Sequence, residues 1–409
     1  MSLNAPSSAD ANRALKGLSV EDARARILAR AAALPSQTVP LAKADGRTLA
    51  EAVTAVRDQP PFDASAMDGW AVRRADVGEA TTLRIVGESA AGRGHAAPLQ
   101  PGEAVRIFTG APVPAGADLV VIQEEATRDG DQVRLGPAGA GNNLRPRGGD
   151  FRAGTLLLEA GVRLDPWRLS LAAAAGRADL TVARRPRVAV LATGEELAAP
   201  GSAAGPFQIY ESGSVGLLAM LSRWGAAPTR LAPTGDDEAA IAAAVRDIEA
   251  DVIVTVGGAS VGDYDLVKPA LATLGLELDV ETVNVRPGKP TWFGRLGDGR
   301  LVLGLPGNPA SAFVCAELFL RPLVLALQGA TTPHRMTTAP LATPLPANGP
   351  REHWMRARLG PGGGVTPFPD QDSSLVTVFA AADALLRRLP GAEAAAVGDA
   401  VEVLRLERG

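Results

Sequence analysis

The sequence predicts a multi-domain α/β plus β protein, with a central three-layer α/β domain, a β-rich module inserted into the N-terminal half and a small β domain at the C-terminus. Three observations predict it. A chain of 409 residues is too long for one ordinary core and implies about two to four domains. Between Pro186 and Gly329, strand-type runs alternate with helix-type runs, as a parallel sheet with helical crossovers requires. On either side of that region, short β-type runs are separated by glycine and proline.

The elements follow in order. Residues 1–16 read as disordered. Ser19 with Asp22 resembles a capping box, and "VEDARARILARAAAL" reads as a helix running to Pro35. "DQPPFDASAMDGWAV" is a proline-rich turn entering a strand. From Leu83 to Leu135, "LRIVG", "AVRIF", "DLVVIQ" and "QVRL" suggest a small β module, and "PWRLSLAAAAG" a helix after it. "RVAVLAT", "TRLAP", "DVIVTV", "TWFGRL" and "LVLGL" read as strands of the central domain. "SGSVGLLAMLSRWGA", "DDEAAIAAAVRDIEA", "DLVKPALATLG" and "NPASAFVCAELFLRPLVLALQG" read as its helices. Pro269 is tolerated near a helix start.

Composition excludes several classes. A formal net charge of −4 gives no bulk attraction to nucleic acid or to an acidic membrane. No apolar run is read as approaching the roughly 20 residues of a membrane span, and the N-terminus has no signal-peptide core. Cys315 is the sole cysteine, so an intrachain disulfide and a multi-thiolate zinc site are both excluded. The expected location is cytoplasmic. His95, His334 and His353 are far apart in sequence, which argues against a histidine metal cluster or a Ser/His/Asp triad. Of the 41 lysines and arginines, only Lys16, Lys43, Lys268 and Lys289 are lysine. Two of these sit in glycine-rich turns, where a compact point charge and a broad planar fork are not interchangeable.

Ligands of an open parallel sheet bind beyond the carboxyl ends of its strands, and the polar residues fall there. "RVAVLAT" is followed by Gly194, Glu195 and Glu196; "TRLAPT" by Gly235, Asp236 and Asp237. "DVIVTV" is followed by Gly257 and Gly258; "LVLGL" by Pro306, Gly307, Asn308 and Pro309. Either Asp236 or Asp237 also suits a helix cap, and the glutamates suit a solvated first turn. Glycine turns and helix N-termini expose N–H groups to anions, with Arg286 and Lys289 adding positive charge. Carboxylates beside a phosphate site typically hold Mg²⁺. The pattern points to a metal-assisted reaction on a phosphorylated or oxyanionic ligand.

"FDASAMDGWAV", "TGAPVP", "RPRGGDF", "LATGEEL", "GGASVGDYD", "RPGKP" and "LPGNPAS", in that order, resemble the molybdopterin molybdenumtransferases of molybdenum-cofactor biosynthesis, to which the C-terminal domain of gephyrin is related. The resemblance runs from about residue 20 to the C-terminus. It implies transfer of molybdenum from molybdate to adenylylated molybdopterin, with release of AMP and use of Mg²⁺. It also implies four parts: residues 1–55 with 146–185, an inserted β module at 56–145, a molybdopterin-binding α/β domain at 186–329, and a β-barrel-like domain at 330–409. An elongated homodimer is implied, with the N-terminal parts of one subunit approaching the α/β domain of the other; other proteins of the same biosynthesis are candidate partners.

By the same resemblance, Asp68 and Thr109 match positions tied to activity, and Glu196, Asp236 and Asp265 match acids at the pterin-nucleotide and metal site. Gly257, Gly258 and Ser260 belong to the phosphate-binding turn. Arg286, Lys289 and Ser311 match molybdate-binding positions. Pro306, Asn308 and Pro309 shape the last turn, and Arg351 or Arg356 with Ser373 or Ser374 match the contribution of the C-terminal domain. The chain departs from the pattern at Glu211 and Gly213, where Asp and Asn are frequent, at Arg286, where Lys is frequent, and in "PDQDSS", which lacks a glycine. Two other readings compete. One is molybdopterin adenylyltransferase, whose diglycine turn continues as GGTG where this chain has Ala259 and Ser260. The other is a non-catalytic dimeric scaffold, which would not need the acids retained here.

Overall fold

The computed structural model describes residues 15–235, 237–258, 266–331 and 335–407. The expectations for residues 1–14 and for Asp236, Ser260 and Asp265 therefore lie outside the described residues. Helix α1 (Val20–Ala29) is N-capped by Ser19, whose hydroxyl accepts from Asp22 N at 3.0 Å; the Asp22 carboxylate takes that hydroxyl at 2.7 Å in place of the Ser19 backbone N–H of a full capping box. It ends at Ala29, short of the expected Pro35.

Strand β1 (Ser36–Pro40) precedes the N-terminal sheet, which is built from β2 (Gly69–Val72), β3 (Thr81–Ser89), β4 (Glu103–Ile107), β5 (Leu119–Ile122), β6 (Ala126–Asp129) and β7 (Gln132–Leu135), in the order β5-β2-β4-β3-β7-β6. Helix α2 (Pro166–Ala174) starts on Asp165, whose carboxylate accepts from Arg168 N at 2.8 Å. Strand β8 (Asp179–Ala183) then returns to pair antiparallel with β1, so the segments flanking the sheet are joined to each other.

The central domain contains β9 (Arg187–Ala192), α3 (Gly213–Arg223), β10 (Ala227–Arg230), α4 (Glu238–Arg246), β11 (Val252–Val256), α5 (Val267–Ala272) and β12 (Glu277–Val280). It continues with β13 (Val285–Arg286), β14 (Trp292–Arg295), β15 (Leu301–Leu305), α6 (Pro309–Cys315), a π turn (Ala316–Leu320) and α7 (Arg321–Leu327). The sheet order is β10-β9-β11-β15-β14-β12. The first four strands are parallel, whereas β14 runs antiparallel to both its neighbours, β15 and β12, so the expected parallel sheet is mixed at one edge. Alternate residues divide between two cores. Val188, Val190, Val252, Val254, Leu301 and Leu303 face α1, α3 and the α6–α7 helix. Ala189, Leu191, Ile253 and Val302 face α4 and α5. Each fully buried branched aliphatic contributes roughly 1.5–3 kcal/mol, which favours two covered faces.

The helix from Pro309 to Leu327 is 19 residues long and apolar enough by composition to cross a membrane, contrary to the expectation for the sequence. Its residues are buried between the sheet and the C-terminal domain, and the apolarity is that of a core helix. Cys315 lies within it, and burial pushes its thiol up to about 12.

The C-terminal sheet contains β16 (Met336–Pro340), β17 (Glu352–Leu359), β18 (Val365–Pro367), β19 (Ala384–Arg388) and β20 (Ala400–Arg405). Its order is β13-β17-β19-β20-β16, with β18 also on β17. A bridge between Leu341 and Val365 links the β16 end back to β18, which closes the sheet into a barrel-like form. Strand β13 belongs by sequence to the central domain, yet it pairs parallel with β17. This brings the "RPGKP" turn to the C-terminal domain.

Candidate active site

The carboxyl ends of β9, β11 and β15 open into a cleft of about 700 Å³, within the range of small-molecule sites. Glu196, Gly257, Gly258, Pro306, Asn308, Pro309 and Ser374 line it, so three strand ends and the C-terminal domain meet there, whereas the fourth turn, after β10, contributes no described residue to the lining. Gly257 and Gly258 have φ of +94° and +58°, in the region that favours glycine. A Cβ on Gly257 would lie 2.5 Å from the carbonyl oxygen of Thr193, so close packing also demands glycine there. Gly257 N donates to Leu305 O at 3.2 Å and is committed to the fold. Gly258 N–H has no acceptor among the described residues.

Glu196 lies back over Gly194, and its carboxylate has no hydrogen-bond or ion-pair partner among the described residues. Asp237 is spent as a cap: its Oδ1 accepts from Ala240 N at 2.7 Å. The buried Glu211 also lines the cleft, yet it is tied to the fold. It accepts from Ser214 N at 2.7 Å, from the Ser214 hydroxyl, and from Arg230 Nη2 at 2.8 Å. Its carboxylate therefore anchors the first turn of α3 to β10.

The C-terminal domain latches onto the start of α6. Asn308 Nδ2 donates to Ser373 Oγ at 2.9 Å, and Ala310 N donates to Ser373 O at 3.2 Å. Ser374 donates to Asp372 Oδ1 through its hydroxyl at 2.6 Å and its amide at 2.8 Å, which holds the Asp372 carboxyl below its ordinary range.

A basic cluster lies where β13 meets β17. Arg286 pairs with His353 across the ladder. Arg356 is 0% exposed; its Nη2 donates to Asp372 O at 2.8 Å, while Nε and Nη1 have no partner. Burial, followed by the charges of Arg286, Arg356 and Arg351, pushes His353 down to about 4. Its ordinary value is 6.5, so the folded state resists protonation and stability is lost as pH falls through the window from 6.5 to about 4. Between pH 7 and 5, the advantage of wild type over His353→Gln in urea unfolding is expected to shrink by about 2 kcal/mol. An unchanged difference would place the imidazole in ordinary solvent.

Lys289 is exposed, with no carboxylate partner among the described residues, and Ser311 is buried in the first turn of α6. Asp68 and Thr109 lie apart from the cleft. Thr109 N and Oγ1 donate to Asp68 Oδ1 at 2.7 and 2.8 Å, and these bonds hold the Asp68 carboxyl below its usual range. Thr193 and His353 were not singled out from the sequence. Threonine is ordinary in a strand, and a lone histidine signals nothing until β13 places arginine beside it.

A mixed α/β sheet with a small-molecule-sized cleft at its strand ends, completed by a β domain, defines a multidomain α/β protein of the enzyme type. The chain matches the MoeA N-terminal region (domain I and II) over residues 18–176, a probable molybdopterin binding domain over 189–326 and the MoeA C-terminal region (domain IV) over 338–406. It is 42% identical over 325 residues to molybdopterin molybdenumtransferase 2 of Mycobacterium tuberculosis, covering 75% of this chain and 80% of that one. It is 35% identical over 318 residues to the molybdopterin molybdenumtransferase of Haemophilus influenzae, covering 76% and 78%. The crystal structure of the molybdopterin biosynthesis MoeA protein from Pyrococcus horikosii superposes with a TM-score of 0.81 at 30% identity, over 96% of this chain and 100% of that one. The chain belongs to the MoeA family of molybdopterin molybdenumtransferases, transferases of molybdenum cofactor biosynthesis.

Proposed function

We propose that the cleft seats adenylylated molybdopterin and that molybdate binds beside it, with molybdenum passing to the pterin dithiolene and AMP leaving. One observation carries this reading: the Gly258 amide, the start of α6 and the Glu196 carboxylate, unpaired among the described residues, converge on one cleft, with a basic cluster on the adjoining β13–β17 seam. The Gly258 amide binds the phosphate, and Ser373 fixes the start of α6 beside it. The unpartnered Nε and Nη1 of Arg356, with Arg286 and Lys289, supply donors for a tetrahedral dianion.

An unpaired carboxylate at a phosphate site suits a hard cation, so Glu196 fits Mg²⁺, with Asp236 and Asp265 joining it by family resemblance. When bound, that cation would offset phosphate charge as AMP leaves. Measured AMP release from adenylylated molybdopterin should depend on molybdate. Release at the same rate without molybdate would defeat the reading, and pyrophosphate release from ATP would favour an adenylyltransferase instead.

A homodimer completes the proposal, because Asp68 and Thr109 lie off the cleft of their own chain. Light scattering at micromolar concentration is expected to give twice the chain mass; a monomer mass would remove these two residues from the site. The proposed location is the cytoplasm, and other molybdenum-cofactor proteins are proposed donors and acceptors of the pterin.

Lys289 tests the molybdate side. Its ammonium is a compact donor in a tight turn, which a guanidinium fills with a different spread of N–H groups. Lys289→Arg is expected to weaken molybdate binding to the pterin-loaded protein, and Lys289→Ala to weaken it further, with pterin-nucleotide affinity retained. Equal molybdate affinity for wild type and Lys289→Arg, by titration calorimetry, would show that charge alone suffices.

A further inference from the structure

Among the described residues, the hydroxyls of Thr193, Thr234 and Thr255 near the strand ends are buried without a hydrogen-bond partner. They sit on or just beyond adjacent strands. Thr193 bridges Thr234, and Thr255 pairs with Leu191 on β9. Of the three, Thr193 is the one that lines the cleft, and it is 4% exposed. The diglycine turn passes directly over its hydroxyl: a Cβ on Gly257 would lie 3.1 Å from Thr193 Oγ1, and one on Gly258 3.2 Å. The Gly258 N–H beside it also has no acceptor among the described residues. Two adjacent donors thus share one missing feature, an oxygen acceptor. A buried hydroxyl left unmade costs the fold its desolvation, and such a group persists where a ligand completes it.

We propose that Thr193 is a binding residue for the phosphate of the nucleotide, its hydroxyl donating, alongside the Gly258 amide, to phosphate oxygen. The inference rests on the nucleotide reading of the cleft. It assigns the floor of the glycine turn to the ligand and gives the absence of side chains at 257 and 258 a second purpose: the turn can lie close over the buried hydroxyl. The competing account is that Thr193 is present only as a β-branched strand residue, in which case its hydroxyl is dispensable.

The two accounts predict opposite patterns, with AMP as the probe, titration calorimetry for affinity and scanning calorimetry for the melting temperature. Thr193→Val is expected to weaken AMP binding by about ten- to hundred-fold, with Thr193→Ser within about two-fold of wild type. Without ligand, the melting temperature of Thr193→Val should equal or exceed that of wild type, because the deleted hydroxyl has no partner to lose. Thr234→Val, which removes an equally unpaired hydroxyl off the cleft lining, should bind AMP as wild type does. If Thr193→Val does not fold, Thr193→Ala against Thr193→Ser carries the same comparison without added bulk. Wild-type affinity in Thr193→Val would overturn the inference and leave the nucleotide reading standing. Equal losses in the Thr193 and Thr234 variants would also overturn it, by tracing the effect to strand packing. A wild type that does not bind AMP would overturn the nucleotide reading, and the inference with it.

Discussion

Glu196→Ala is expected to lower cation-dependent AMP release by about 10²–10³-fold, with the unfolding midpoint unchanged. The stability half follows from the structure. The Glu196 carboxylate makes no hydrogen bond or ion pair among the described residues, so its removal breaks none of the described polar contacts. The activity half follows from its place at the end of β9, lining the cleft opposite the glycine turn. A carboxylate held there without a partner stabilises charge that appears only when phosphate and cation are present. Asp265→Ala is expected to act in the same way, on the strength of the family resemblance. Stopped assays of AMP release across a Mg²⁺ titration measure both. Near-wild-type turnover in Glu196→Ala, with the same Mg²⁺ dependence, would show the carboxylate to be a solvated residue of a turn.

Arg356→Met should separate stability from function more sharply. The guanidinium is fully buried, and two of its nitrogens lack partners, so the free protein bears a desolvation cost that its bond to Asp372 O does not offset. Replacing such a group by an apolar side chain of similar volume is often neutral, or stabilising by about 1–4 kcal/mol. The variant is therefore expected to melt at or above the wild-type temperature and to lose molybdate binding by about ten-fold or more. Scanning calorimetry and molybdate titration of the pterin-loaded protein test the two halves. A large fall in melting temperature would make Arg356 a structural residue of the β17 seam; unchanged molybdate affinity would remove it from the oxyanion site.

Much of the arrangement was legible in the sequence. The N-cap at Ser19, the strands "RVAVLAT", "DVIVTV" and "LVLGL", and the turns that follow them were all readable, because periodicity and turn chemistry are local. Glu196, Gly257, Gly258, Asn308 and Pro309 fall on one cleft for that reason: parallel strands carry their following turns to the same edge. Other features were not readable. "TWFGRL" gives no sign of running antiparallel, since strand direction depends on where the preceding chain enters the sheet. The apolar helix from Pro309 to Leu327 reads alike as a core helix or a membrane span until its neighbours are known.

Residue type and spacing by themselves determined the layered α/β class, the rim on which the ligand groups stand and the family to which the chain belongs. The tertiary structure decided which of those groups are already occupied. Glu211 and Asp237 are committed to helix starts and Gly257 N–H to the sheet, while Glu196, Gly258 N–H, Thr193 Oγ1 and two nitrogens of Arg356 are left without partners among the described residues. It also placed β13 against β17, which set Arg286 beside His353 and lowered the histidine. The physical reason is that a hydrogen bond or an ion pair is a relation between two groups, and the fold brings together partners as distant in sequence as Gly257 N–H and Leu305 O. A side chain's chemistry is written in its own residue type, but its availability depends on what the fold has packed around it.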